Sequence, residues 1–268
     1  MLSLEFIGYL SIFVMGLTLG ILGAGGSILT VPILVYLFAI SPTLATAYSL
    51  VLVGSTALAG GIRHILHGSF DREAFLVFGL PSVVSVYLSR RWLLPAIPEH
   101  LGSLGNYDFT RDGLIMLIFS ALMLAASILM IRGRKAEETA LQDTKKPRRL
   151  VAAGEGLIVG AITGLVGAGG GFLIVPVMIL LLKLPIRIAV STSLLVIAMK
   201  SLIGFIGDLQ GAQVIDWTFL FSLLVISSAG ILVGVKLGKK IPTTQLQRGF
   251  GWFILVTGIL IIARELSP

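Results

Sequence analysis

Long apolar runs recur along almost the whole chain, and they limit the folds that are open to it. A helix needs about 20 apolar residues to cross the hydrocarbon core of a bilayer, within a range of about 17–25. Long runs occur at residues 6–22, 44–66, 74–94, 113–131, 151–166, 188–206, 217–237 and 250–263. Two shorter runs, at residues 27–40 and 171–184, each follow a cluster of glycines. The sequence therefore predicts ten helical segments in a membrane, two of which are short.

The composition agrees with a membrane environment. Apolar residues make up 56% of the chain and charged residues only 12%, whereas soluble domains carry about 25% charged residues. The net charge of +7 comes mainly from basic residues in a few connectors, which is typical of cytoplasmic loops and not of a nucleic-acid-binding surface. The absence of cysteine excludes disulfides and thiolate chemistry. We therefore predict an all-α polytopic membrane protein.

The longest hydrophilic stretch divides the chain into two parts. Seven basic residues lie between positions 131 and 150, around an acidic middle. We predict a first transmembrane repeat at residues 1–132, a basic cytoplasmic linker at 133–150 and a second transmembrane repeat at 151–268. The first residues lack the basic start of a cleavable signal, so we expect the first segment to be retained.

The second part repeats the first. Residues 16–50 align without a gap with residues 160–194, at a shift of 144 positions. The segment GILGAGGSILTVP in the first part faces GLVGAGGGFLIVP in the second. Matches outside the glycine runs argue against chance similarity; they pair Gly16 with Gly160, Pro32 with Pro176 and Ser49 with Ser193. The sequence indicates a duplication.

An odd number of crossings in each half would orient the two repeats oppositely. Five segments per half give this result, and so does a variant in which each short pair forms a re-entrant hairpin. With the linker in the cytoplasm, the basic connectors at 64–72, 183–187 and 236–248 also lie inside and both termini lie outside. Arg90 and Arg91 are the exceptions. Four crossings per half would place residues 183–187 and 239–248 on opposite sides, which fits less well.

The two glycine clusters are candidate anion sites. Each cluster interrupts an apolar run, and a proline follows six residues after its last matched glycine. A helix that restarts after such a break points free N–H groups and its positive dipole end at the cluster. We predict that backbone groups of both clusters bind the substrate, namely those of Ala24, Gly25, Gly26, Ala168, Gly169 and Gly170. Singly spaced glycines, such as Gly16 with Gly20 and Gly230 with Gly234, predict close helix packing instead.

Lys200 is the most informative single residue. It lies centrally in an apolar run, where an unpartnered lysine costs about 2.5–3.5 kcal/mol on insertion scales. Such a residue normally faces a cavity or a substrate; the alternative is an ion pair with Asp208 or Glu155. The repeat pairs Lys200 with Thr56. The side chains predicted to bind substrate are therefore Ser49, Thr56, Arg63, Thr192, Ser193 and Lys200, although Arg63 could equally extend to the interface.

Other polar residues have weaker signals. Asp208 and His64 are candidates for proton coupling or gating, and each could instead be a solvated or interfacial residue. Arg90, Arg91 and Trp92 are typical of an interfacial anchor. The chain has no HExxH motif, no Walker motif and no Ser-His-Asp spacing, so we predict no enzyme activity, no metal and no cofactor.

Together, the doubled glycine–proline elements, the sequence AVSTSL at residues 189–194, the length and the hydrophilic linker resemble the TauE/SafE sulfite exporter family, also called 4-toluene sulfonate uptake permeases. The first half departs from the pattern, with ATAYSL at residues 45–50. The resemblance covers essentially the whole chain. It implies export or uptake of sulfite, sulfonates or related sulfur oxyanions without an ATPase partner.

Together, these residues and the family resemblance predict a secondary transporter that exports a small sulfur-containing anion by alternating access. We place it in the bacterial inner membrane, with lipid and the anion as its partners and no nucleic acid. An anion channel of the same architecture is one alternative. A membrane-embedded enzyme or sensor is another. The residues do not specify the coupling ion or the oligomeric state.

Overall fold

The chain folds into ten α-helices in the part that the structure describes. This structure is a computed structural model, and it describes residues 2–66, 70–104, 107–132, 149–167, 169–210, 214–238 and 243–266. The helices are α1 Leu2–Leu22, α2 Thr30–Tyr36, α3 Pro42–Leu66, α4 Arg72–Ala96, α5 Arg111–Arg132, α6 Arg149–Val166, α7 Gly171–Leu180, α8 Ile186–Leu209, α9 Trp217–Gly238 and α10 Thr243–Leu266. A 3-10 helix, Gly23–Leu29, joins α1 to α2. The predicted linker at 133–150 lies outside the described residues except for its last two positions.

Helix α4 is distorted at two places, and its prolines account for both. It consists of α-helical segments Arg72–Ala74, Leu80–Leu88 and Leu94–Ala96, separated by π-helical turns Phe75–Gly79 and Ser89–Leu93. Pro81 and Pro95 follow these turns. A proline lacks an N–H and its ring clashes with the carbonyl four residues earlier, and a wider turn relieves that clash.

A short hairpin follows α4 in the connector that leads to α5. Strand β1, His100–Leu104, pairs antiparallel with strand β2, Tyr107–Thr110. The apolar runs predict no element between α4 and α5. Residues Tyr107–Thr110 do alternate apolar and polar side chains, but each strand has only four or five residues.

The helices confirm an all-α polytopic membrane protein. Within the described residues, six helices are long and apolar enough to cross a bilayer, namely Pro42–Ile62, Arg72–Ala96, Arg111–Ile131, Arg149–Val166, Ile188–Leu209 and Trp217–Gly234. Shorter apolar helices occur at Glu5–Ile21 and Gly26–Tyr36. Large apolar side chains such as Phe221, Val225 and Leu260 point outward and are exposed, as expected of a surface whose solvent is lipid.

Spaced glycines bring two pairs of helices into close parallel contact. Helix α1 runs along α9, where a Cβ atom on Gly230 or Gly234 would collide with a backbone carbonyl of α1. Helix α6 runs along α4, where a Cβ atom on Gly156 or Gly160 would lie within 2.6 Å of a backbone carbonyl of α4. The predicted role of the spaced glycines in helix packing is confirmed at Gly160, Gly230 and Gly234, and Gly156 packs in the same way.

Helices α3 and α8 form the antiparallel centre of the molecule. Gly54 of α3 lies against Ser201 of α8, and Gly61 lies against Leu195. Near the starts of α3 and α8, which lie at opposite ends of this antiparallel pair, the two halves exchange equivalent hydrogen bonds. The Tyr48 hydroxyl accepts from the Asp216 amide at 2.9 Å. Thr192, at the position matched to Tyr48 by the repeat, accepts through Oγ1 from the Asp71 amide at 3.1 Å.

Candidate functional site

The chain reverses direction at both glycine clusters. A Cβ atom on Gly26 would lie 2.6 Å from the amide nitrogen of Leu19, and one on Gly170 would lie 2.5 Å from Cγ2 of Thr163. Both pairs are seven residues apart, a distance that an uninterrupted helix would stretch to about 10 Å. Each cluster therefore folds back onto the helix that precedes it, and the two pairs occupy matched positions in the repeat.

The second cluster is an interruption of the helix. Gly167, Gly169 and Gly170 have φ values of +69°, +63° and +68°, a left-handed region that costs other residues about 1–2 kcal/mol. Helix α6 ends at Val166 and helix α7 begins at Gly171. The amides of Leu173 and Ile174 donate to the Gly170 carbonyl at 3.0 and 3.1 Å. Helix geometry therefore leaves the amides of Gly171 and Phe172 without an acceptor in α7, pointing toward the cluster.

The first cluster has a different backbone. Ala24, Gly25 and Gly26 lie inside the 3-10 helix Gly23–Leu29, so the chain turns back here through a 3-10 helix that leads directly into α2. Residues of this 3-10 helix contact α7 and α8, which belong to the second half. The two clusters therefore belong to one packed region at the centre of the molecule.

Lys200 reaches the second cluster from α8. Its side chain is 1% exposed, and Nζ donates to Oγ1 of Thr163 at 2.9 Å. A Cβ atom on Gly170 would lie 2.9 Å from the same Nζ atom. In the described part of the chain, no carboxylate lies within 4.0 Å of this ammonium group. The alternative prediction, an ion pair of Lys200 with Asp208 or Glu155, is therefore wrong.

Helix α3 covers the opposite side of the second cluster. Ser49 donates through Oγ to the carbonyl of Gly167 at 2.8 Å. A Cβ atom on Gly167 would lie 2.6 Å from Cβ of Thr46. The cluster is thus held between α3 on one side and Lys200 of α8 on the other. Ser49 supports the cluster by binding its backbone.

Three other predicted hydroxyls have partners elsewhere. Thr56 donates to the Val53 carbonyl at 2.9 Å and Ser193 to the Val190 carbonyl at 2.8 Å, each within its own helix. Thr192 binds the start of α4, as described above. Ala168 and the side chains of Arg63 and His64 lie outside the described residues.

Arg90 is the functional candidate that the sequence reading missed. Its side chain is 1% exposed. Nη1 donates to Oγ1 of Thr46 at 3.0 Å and lies 3.4 Å from Oδ1 of Asp208, which is also buried. The prediction that Arg90 is an interfacial anchor is wrong, whereas Trp92 is 60% exposed. The signal was available, since an arginine within an apolar run normally needs a partner inside the protein.

An open cavity of about 540 Å³ lies at the end of the molecule where α3 begins. Its lining includes Ser41, Thr43, Glu99 and Arg111. Arg90 and Asp208 lie near this end, because Thr46 is in the first turns of α3 and Asp208 is in the last turn of α8.

Comparison with known proteins agrees with this architecture. The family model of the sulfite exporter TauE/SafE matches residues 9–261. The chain belongs to the TauE/SafE family. The predicted resemblance is confirmed, and the chain is a membrane transporter of the multi-pass type.

Curated relatives of this TauE/SafE protein are named as transporters without a substrate. A probable membrane transporter protein of Xylella fastidiosa is 30% identical and covers 93% of this chain and 92% of its own length. The probable membrane transporter protein YunE of Bacillus subtilis is 26% identical and covers 95% of this chain and 97% of its own length. The probable membrane transporter protein MJ0441 of Methanocaldococcus jannaschii is 24% identical and covers 93% of this chain and 92% of its own length. No solved structure matches the chain.

Proposed function

We propose that this chain is a secondary transporter that exports a small sulfur-containing anion, such as sulfite or an organosulfonate, by alternating access. The observation that carries this proposal is the buried Lys200, which has no carboxylate partner in the described part of the chain and lies against the broken glycine cluster. The substrate class comes from the family, whose description is that of a sulfite exporter.

The charge of Lys200 favours an anion over a cation or a neutral solute. A buried charge is stable only when it is paired and hydrogen-bonded. Thr163 supplies one hydrogen bond but no charge. An oxyanion next to Gly170 would supply the missing charge and would also accept from the first amides of α7.

The arrangement of the halves favours alternating access. Helix α1 runs parallel to α9, and its match in the repeat, α6, runs parallel to α4. The matched helices α3 and α8 run antiparallel to each other. This arrangement supports inverted repeats, which in secondary transporters place the substrate near the midplane between the halves. The complete burial of Lys200 favours an occluded carrier over an open channel.

Uptake into proteoliposomes tests the proposal. Radiolabelled sulfite is added outside the proteoliposomes. We expect saturable uptake that is faster when the proteoliposomes contain unlabelled sulfite. Lys200→Met keeps the length of the side chain and removes its charge, so uptake should fall to the level of empty liposomes. Lys236→Met removes an exposed lysine at the end of α9 and should leave uptake unchanged.

Each other outcome has a defined meaning. Wild-type uptake that does not saturate, with a current proportional to voltage, would indicate a channel. Normal uptake by a well-folded Lys200→Met variant would remove Lys200 from the site. Calorimetric titration of the purified protein with sulfite, thiosulfate, sulfate and short sulfonates then identifies the preferred anion.

We further propose that the protein lies in the bacterial inner membrane with both termini outside and the linker at 133–150 in the cytoplasm. The chain has no cysteine, so single cysteines placed in the linker and near the N-terminus can be labelled in intact cells. An impermeant maleimide should label only the N-terminal cysteine. Labelling of the linker cysteine alone would indicate the opposite orientation in the membrane.

A further inference from the structure

The ion pair between Arg90 and Asp208 is incomplete. Nε and Nη2 of Arg90 and Oδ2 of Asp208 are buried and have no hydrogen-bond partner among the described residues. The pair is held by one contact of 3.4 Å, whereas strong arginine–carboxylate pairs use two parallel contacts of about 2.7–2.9 Å. Asp208 therefore neutralises the charge of Arg90 but leaves two of its nitrogen atoms, Nε and Nη2, without a hydrogen-bond acceptor.

Hydrogen bonds connect Arg90 to the wall of the open cavity. Thr43, which lines the cavity, donates through its amide and its hydroxyl to Oδ1 of Asp112. The Thr46 hydroxyl donates to the Thr43 carbonyl at 2.7 Å and accepts from Arg90. Arg90 therefore lies one helical turn deeper than the cavity.

The same threonine connects Arg90 to the second glycine cluster. Thr46 packs against Gly167 at one end of the cluster, and Lys200 packs against Gly170 at the other. Lys200 and Asp208 are separated by eight residues of α8, which corresponds to about 12 Å. Two buried cationic side chains thus flank the cluster, and Arg90 is the nearer one to the cavity.

We propose that Arg90 is a second anion-binding residue, occupied by the oxyanion on its way between the cavity and Lys200. The oxyanion accepts two hydrogen bonds from the unused edge of the guanidinium group, Nε and Nη2, and competes with Asp208, on Nη1, for the positive charge. Sulfite, sulfate and sulfonates share this recognition chemistry, because each presents two or more acceptor oxygens to the planar guanidinium. This inference rests on the proposed function and extends it.

Asp208→Asn is the decisive variant. It removes the negative charge that competes with the anion for Arg90, so calorimetry should show sulfite binding about tenfold more tightly than in the wild type. Without an anion the variant has a buried arginine without a counter-charge, so its melting temperature should fall. Saturating sulfite should raise the melting temperature by more in this variant than in the wild type. Asp108→Asn, on exposed β2, is the matched control.

The opposite change tests Arg90 itself. Arg90→Gln combined with Asp208→Asn removes both charges and avoids an unpaired carboxylate. It should weaken sulfite binding about tenfold relative to Asp208→Asn alone. Arg90→Lys should retain part of the affinity, and Arg91→Gln, the neighbouring arginine, should bind sulfite normally.

A purely structural ion pair gives a different pattern. In that case Asp208→Asn would lower the melting temperature equally with and without sulfite and would not tighten binding, which would overturn the inference. That result would leave the transporter proposal intact if the wild type binds sulfite and Lys200→Met does not. Failure of the wild type to bind or move any anion would instead reject the transporter proposal.

Discussion

The two glycine clusters are nearly identical in sequence but differ in backbone and surroundings. Residues 23–26 lie in a 3-10 helix, whereas Gly167, Gly169 and Gly170 adopt left-handed conformations before α7. The matched position in α8 carries Lys200, and in α3 it carries Thr56. The comparison teaches that a duplicated motif makes the break possible, and that its tertiary neighbours determine which copy becomes a charged site.

Exchanging the two matched residues should have the largest effect on this comparison. Thr56→Lys combined with Lys200→Thr moves the cation to the first half, next to a cluster that does not have the left-handed break. We expect sulfite uptake to fall to the level of empty liposomes. Recovery of uptake in the double variant, relative to Lys200→Thr alone, would show that the two clusters are equivalent.

Alanine at one matched glycine of each cluster should have the next largest effect. Gly169→Ala places a Cβ atom at φ +63° and against Val53, a backbone cost of about 1–2 kcal/mol before the collision is counted. Gly25→Ala places alanine in a 3-10 helix, whose φ of about −60° suits it. The backbone strain at φ +63° should therefore make Gly169→Ala the more destabilising of the two in thermal unfolding in detergent. Equal losses would contradict the assigned backbones.

Removing the hydroxyl next to Lys200 should have a moderate effect. Thr163→Val keeps the shape of the side chain and deletes the acceptor that Nζ uses at 2.9 Å. A hydrogen bond of this kind contributes about 1 kcal/mol, so sulfite affinity measured by calorimetry should weaken about fivefold. Thr163→Ser keeps the hydroxyl that accepts from Nζ and is the matched control. An unchanged affinity would mean that Thr163 does not position the lysine.

The matched serines should show the smallest effect. Ser49 binds the Gly167 carbonyl across the two halves, whereas Ser193 binds a carbonyl of its own helix. Ser49→Ala should therefore destabilise the protein by about 1 kcal/mol, and Ser193→Ala by a few tenths at most, because intrahelical bonds of this type add little. Differential unfolding measures both. A larger loss for Ser193→Ala would reverse the comparison.

Periodic and compositional features were predictable from the sequence. Ten helical segments follow from apolar length, and their ends agree with α1 to α10 within four residues, except that α10 begins seven residues before its predicted start. The packing role of Gly160 and Gly230 was also predictable, since small residues four positions apart form a groove on one helix face. The orientation of the halves, the domain boundaries and the full set of site residues stay predictions.

Partnerships between distant residues were not predictable. Thr192 and Lys200 were both plausible site residues, yet Thr192 binds the start of α4 and Lys200 binds Thr163. The 37 positions between Lys200 and Thr163, and the 118 between Arg90 and Asp208, leave no local pattern to detect. The sequence places Arg90 at the interface because its neighbour Trp92 suits that place, whereas tertiary contacts bury the arginine.

The sequence by itself determined that this chain is a helical membrane protein with a duplicated glycine motif, because bilayer thickness and hydropathy act locally on each segment. The tertiary structure alone decided which charges are buried, which are paired and which glycine cluster is broken. These depend on helices α3, α4, α6 and α8 meeting at one place, and the free energy of a buried charge is set by the atoms around it, not by its position in the chain.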